Sequence, residues 1–149
     1  MKLLELFKST HTFDVTLDTE SRFDASSTID GKVFVFKGYK RNLYGAMPNG
    51  AWEVEFGIKA STTSPTIFDI TGTGAAAKVM SFSLQMMNEL IKRHPTLSGF
   101  YFTSSEKSRT DLYTAMVKRY MRDEYDVKIR KMDDDEAKFY VIRKNHEAA

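Results

Sequence analysis

The sequence predicts an α+β domain: a mixed, mostly antiparallel sheet with a central β-α-β crossover and helices packed on it. Three observations predict it. Two runs of alternating apolar residues, Lys32 to Arg41 and Ala51 to Ala60, are separated by turn formers and read as an antiparallel pair. A long amphipathic stretch beginning near Ala75 lies between two short apolar runs, Thr66 to Thr71 and Gly99 to Thr103, the pattern of strand, crossover helix and parallel strand. The chain then closes on a second helix and a terminal hairpin.

At 149 residues the chain is the size of one domain, and a single domain spanning 1–149 is expected. With 42% hydrophobic and 28% charged residues, it can bury a core of its own. The net charge of +2 supplies no strong field for nucleic acid or membranes. Cysteine is absent, which excludes disulfides, a thiolate nucleophile and thiolate-held metal. His11, His94 and His146 are scattered without a partner at metal-ligand spacing. No apolar run approaches the roughly eighteen residues that span a bilayer, and Met1 to Phe7 lacks a secretory apolar region. A soluble, cytoplasmic protein is therefore expected.

In chain order, Met1 to Lys8 is a hydrophobic start that either forms a short helix or docks on the core. Phe13 to Asp30 predicts a first strand from the alternation in FDVTLDTE, followed by a serine-rich irregular connection. In the next strand Val33, Val35 and Lys37 oppose Phe34, Phe36 and Gly38. After the turn signals between Asn42 and Gly50, Trp52, Val54, Phe56 and Ile58 share one face, with Glu53, Glu55 and Lys59 on or near the other. Thr66 to Thr71 is expected to return as the third strand of the meander. On the following helix Val79, Met80, Phe82, Leu84, Met86, Met87, Leu90 and Ile91 form the apolar arc, with Ser81, Gln85, Asn88 and Lys92 opposite. Pro95 ends it, and Gly99 to Thr103 reads as a buried strand. Ser104 or Ser105 caps a second helix to Arg122, whose apolar side is Leu112, Tyr113, Ala115, Met116, Val117 and Tyr120. Tyr125 to Met132 and Ala137 to Arg143 flank an acidic turn as the closing hairpin.

The segment Thr71-Gly72-Thr73-Gly74-Ala75-Ala76 joins a strand to the start of the long helix, where unpaired backbone N–H groups and the helix dipole favour phosphate oxygens. Its small side chains have two readings: a cradle for a pyrophosphate, or a tight turn that seats the helix close on the sheet. The G-x-G-x-x-A pattern of dinucleotide sites is also present, but it follows an antiparallel meander and lacks the acidic residue about twenty positions on.

This order of elements, with the glycine joint and a Leu-Tyr pair on the later helix, resembles the GNAT superfamily of acyl-CoA-dependent N-acetyltransferases. The family pattern after the fourth strand is Gln or Arg, two residues, Gly, one residue, then Gly or Ala; Gly74 and Ala76 match its last two positions, and Thr71 stands in place of Gln or Arg. In the family's later segment, Asn, two residues, Ala, two residues, Leu or Phe, Tyr, only Leu112 and Tyr113 match, with Glu106 and Arg109 at the other places. FDITGTGAAAKV followed by SSEKSRTDLY is more narrowly similar to small GNAT-like proteins of tailed bacteriophages. The resemblance implies a GNAT-like domain that binds acetyl-CoA or another acyl-CoA through Thr71, Gly72, Thr73, Gly74, Ala75 and Ala76 and transfers the acyl group directly to an amine. For a phage-encoded chain the setting is the host cytoplasm. It equally admits a catalytically inactive phage protein that acts by binding a protein partner.

Within that resemblance Tyr113 takes the role of general acid toward the departing thiolate; as plain packing it is a core tyrosine of the second helix. Glu53, Glu55 and Asp69 are the candidate general bases, and alternation alone does not choose among them. Arg109 falls on the buried arc of its helix and calls for an anion, either a ligand phosphate or an acid such as Asp69 or Asp111. Lys107, Lys118, Arg119, Arg122, Lys128, Arg130 and Lys131 concentrate positive charge late in the chain, as a solvated face or a nucleic-acid patch.

Overall fold

The computed structural model describes residues 11–41, 50–59, 76–104, 107–133 and 135–144. Seven strands form one sheet: β1 (Asp14–Asp18), β2 (Arg22–Ile29), β3 (Lys32–Lys40), β4 (Ala51–Lys59), β5 (Gly99–Ser104), β6 (Tyr125–Lys131) and β7 (Ala137–Arg143). Their spatial order is β1-β2-β3-β4-β5-β7-β6. Every neighbouring pair is antiparallel except β4 and β5, which are parallel. Helix α1 (Ala76–Arg93) connects that parallel pair, and α2 (Lys107–Met116), continued by a π-helical turn at Val117–Met121, connects β5 to β6. The mixed, mostly antiparallel architecture with a central crossover is therefore present.

The element the sequence reading missed is β2. Its serine-rich stretch is a full strand because Phe23, Ala25 and Ser27 alternate inward, and small residues there leave room beneath the helix. It turns into β3 through Asp30 and Gly31, whose φ angles of 53° and 76° are those of a tight two-residue hairpin turn. Among the described residues four antiparallel strands precede α1, with β2 in place of the expected irregular connection. Among the described residues the parallel neighbour of β5 is β4; the strand expected at 66–71 lies outside the described residues, as does Met1 to Lys8.

Both helices pack on the same face. Phe34, Phe36, Trp52, Val54, Phe56, Phe100, Phe102, Phe139 and Val141 point toward them from the sheet, and Met80, Phe82, Leu84, Met87, Leu90, Tyr113, Met116, Val117 and Met121 meet them. The expected solvent face of α1 is not free: Ser81 and Gln85 are buried. Gln85 explains this, since its side-chain amide donates to the His11 carbonyl and accepts from the His11 N–H, at 2.8 and 2.9 Å, so the chain before β1 runs over that side. On the second helix Ala115 is exposed rather than packed, and Thr110 takes a buried place. Ser104 ends β5 and its hydroxyl is bonded to that of Thr110, which in turn donates to the Asp135 carbonyl at 2.7 Å.

Candidate functional site

Pairing between β4 and β5 covers only Ala51 with Gly99, Trp52 with Phe100 and Glu53 with Tyr101. Both strands continue, β4 to Lys59 and β5 to Ser104, without further pairing to each other. Among the described residues the pairing of these two strands therefore stops on one side of Glu53 and Tyr101. The β2–β3 turn lies at that same end, since Val33 pairs with Lys59. So does the start of α1, whose Lys78 forms an ion pair with Asp30 of the turn. The first turn of α1 holds no acidic residue, which leaves its dipole open to an anion.

On the helix side the split is lined by aromatic rings. Tyr113 lies with its centroid 5.4 Å from Phe56 of β4 and 5.6 Å from Phe102 of β5, edge to face with both, and 5.9 Å from Phe139 of β7. Phe56 and Phe102 also touch each other across the gap at 5.6 Å. Tyr113 is 2% exposed and is part of the core.

The opposite face of the sheet is mixed: Val33 and Val35 of β3 are buried on it, and a polar row lies beside them. One cross-strand row runs Arg22, Tyr39, Glu53, Tyr101, Tyr140, Lys128 over six strands. Tyr39 is flanked by guanidinium groups, Arg22 at 4.7 Å and Arg41 at 5.1 Å from its ring, and Arg41 is paired to Glu53 at 3.1 Å. Tyr101 and Tyr140 pack together at 5.2 Å. Tyr101 thus corrects the reading of 99–103 as a wholly buried strand: Phe100 and Phe102 point into the core and Tyr101 to the other side, half-buried. The tyrosines of this row were visible in the sequence only as the members out of phase with the phenylalanines beside them.

Two positions further along β4 on the same face stands Glu55, half-buried and level with the split. Among the described residues its carboxylate makes no hydrogen bond or ion pair; Lys37 is across from it in register without bonding it. Burial, and then the neighbouring Glu53 carboxylate, hold its carboxyl above the usual range. Of the three candidate bases, Glu53 is bonded to Arg41, Glu55 has Lys37, Arg41 and Arg22 near it without a hydrogen bond or ion pair among the described residues, and Asp69 lies outside those residues. Thr71, Gly72, Thr73, Gly74 and Ala75 also lie outside them; Ala76 is the first residue of α1. Arg109 is in the first turn of α2, its side chain outside the described set, and Asp111 is exposed. The late basic residues divide between the exposed end of the second helix, Lys118, Arg119 and Arg122, and the edge strand β6, Lys128, Arg130 and Lys131. No group of three or more potential metal ligands exists among the described residues, and no helix there is long and apolar enough to cross a membrane.

Comparison with protein-family models, with curated proteins and with solved structures finds no match to this chain.

Proposed function

We propose that the chain is a GNAT-like N-acyltransferase that moves an acetyl or other acyl group from acyl-CoA to an amine. The observation that carries this reading is the split between β4 and β5, the strands that flank the crossover helix, because the family seats its thioester in that opening. Three further features support it. The start of α1 lies at the open end, the Tyr113 ring touches one strand on each side, and Glu55 stands on the opposite face at the same level. The donor supplies an activated acyl thioester. Glu55 takes a proton from the acceptor ammonium, the freed amine nitrogen attacks the thioester carbon, and as the C–S bond breaks the Tyr113 hydroxyl gives a proton to the departing sulfur. The amides at the start of α1 hold the diphosphate. Calorimetry with acetyl-CoA tests the reading: saturable heat is expected, and none up to about 1 mM ligand overturns it.

A second reading is favoured by one observation. The contact of Phe56 with Phe102, and the near-complete burial of Tyr113 between them, already fill the helix side of the opening with protein. A chain that keeps those rings closed is a catalytically inactive GNAT-like module, of the kind found in tailed phages, that works by binding a protein partner. Tyr113→Phe separates the two. It lowers acyl transfer by about tenfold or more if the hydroxyl is an acid. If acetyl-CoA binds without any acyl transfer to an amine panel, and the substitution alters neither binding nor fold, the inactive reading holds.

A further inference from the structure

We infer that β6, the strand that ends the sheet beyond β7, is a self-complementary edge: it pairs antiparallel with β6 of a second copy of the chain and joins two sheets into one. This edge lies apart from the residues of the proposed reaction and needs none of them.

The two edges of the sheet are built differently. β1 has five residues, its register with β2 breaks between Val15 and Leu17, and its Asp18 is tied to Arg93 and His94. A short, bulged edge is a poor template for another strand. β6 has seven residues, neither proline nor glycine among them, and pairs with β7 from end to end without a shift. Among the described residues nothing pairs with its outer side, where a row of backbone N–H and C=O groups stands ready for a partner strand.

The side chains of β6 choose that partner. Asp126, Lys128 and Arg130 are exposed on the face away from the helices, and none of them is in an ion pair among the described residues. Val127 and Ile129 lie on the helix face, only partly buried. The outward backbone groups of an edge strand belong to every second residue, so a two-fold axis must pass through a residue and not between two. With the axis at Lys128, all seven residues of each strand are paired. Asp126 then meets Arg130 of the second copy twice over, and Val127 meets Ile129 twice on the other face. Only Lys128 faces its own kind, and its long stem carries the ammonium out to water. Moving the axis to Ile129 sets Lys128 against Arg130 twice. Moving it to Val127 pairs Asp126 with Lys128 but leaves Arg130 and Lys131 beyond the end of the partner strand. A foreign acidic strand meets Asp126, and a basic one meets Lys128 and Arg130, so neither matches the row as a second copy does. A strand pair of this length buries less than about 1,200 Å2, which places the expected Kd at about 10–200 µM.

The test is sedimentation equilibrium of the intact chain from about 10 µM to about 1 mM, with amide exchange measured at both ends of that range. A monomer–dimer equilibrium is expected, with concentration-dependent protection of alternate β6 amides. Asp126→Arg should weaken the dimer about tenfold or more, as should Arg130→Asp, and the two together should restore it. Lys128→Gln should tighten it about two- to fivefold, a gain that loss of folding cannot imitate. A monomer throughout, a dimer indifferent to Asp126→Arg, a double variant that stays weak, a weaker dimer with Lys128→Gln, or protection gained at β1 in place of β6 overturns the proposal.

Discussion

Glu55 is the residue at which chemistry and stability pull in opposite directions. Its carboxyl is held above the usual range, so the folded chain binds this proton more tightly than the unfolded chain does, and the charged form at neutral pH costs stability. That cost is absent below the unfolded pKa of about 4.3 and grows as pH rises through the folded value. Glu55→Gln should therefore raise thermal stability slightly at pH 7, by up to about 0.5 kcal/mol, and give no gain near pH 4. A lower melting temperature at pH 7 would show that the carboxylate is compensated after all. If Glu55 is the base, the same substitution cuts kcat/KM about 100-fold or more and removes the fall in rate on the acid side of the profile, with acetyl-CoA affinity unchanged. The sequence listed Glu53, Glu55 and Asp69 as equals. Only the cross-strand neighbours, Arg41 on one glutamate and nothing bonded to the other, separate them.

At the scale of elements, the end of α1 is held to the β1–β2 turn by a compact ion cluster. Asp18 accepts from Arg93 at 2.8 Å and contacts the His94 ring at 3.2 Å; that ring lies 4.7 Å from Trp52. The Arg93 hydrogen bond holds the Asp18 carboxyl below the usual range, so its contribution is present above the unfolded pKa and is lost as pH falls through the lower folded value. Asp18→Asn should cost up to about 1 kcal/mol at pH 7 by urea denaturation and progressively less as pH falls below the ordinary carboxylate range, the modest size reflecting partial exposure. Gly99, at the first pair of the parallel junction, has no such tolerance. A Cβ there would stand 2.3 Å from the Val141 carbonyl oxygen, a backbone atom that cannot swing aside. Gly99→Ala should destabilise by about 1–3 kcal/mol, measured the same way, and an unchanged midpoint would contradict the tight β5–β7 approach. The Asp30-Gly31 turn was legible, since Asp-Gly between alternating runs is a strong hairpin signal. It was passed over because Ser26, Ser27 and Thr28 look like loop composition when their inward and outward faces are not separated.

Across the whole molecule the aromatic core ties the antiparallel half, β1 to β4, to the half formed by β5, β7 and β6. Direct strand pairing between them is three residues long, so side chains carry much of the connection. Tyr113, against Phe56, Phe102 and Phe139, spans both halves. Tyr113→Ala should cost about 3–5 kcal/mol, with the two halves losing amide protection together. A loss below about 1 kcal/mol would mean that this ring is not a joint of the fold.

The sequence by itself determined the periods of most elements: the apolar face of β4, the apolar arc and approximate ends of the long helix, and the hairpin that closes the chain. Those follow from local alternation and from the apolar arc of a helix, both written in neighbouring residues. Only the tertiary structure decided that β4 runs beside β5, that their pairing among the described residues stops at Glu53 and Tyr101, and that Arg41 bonds Glu53 and not Glu55. Each of these depends on residues far apart in the chain meeting across a sheet, and strand register at that distance leaves no periodic trace in a single sequence.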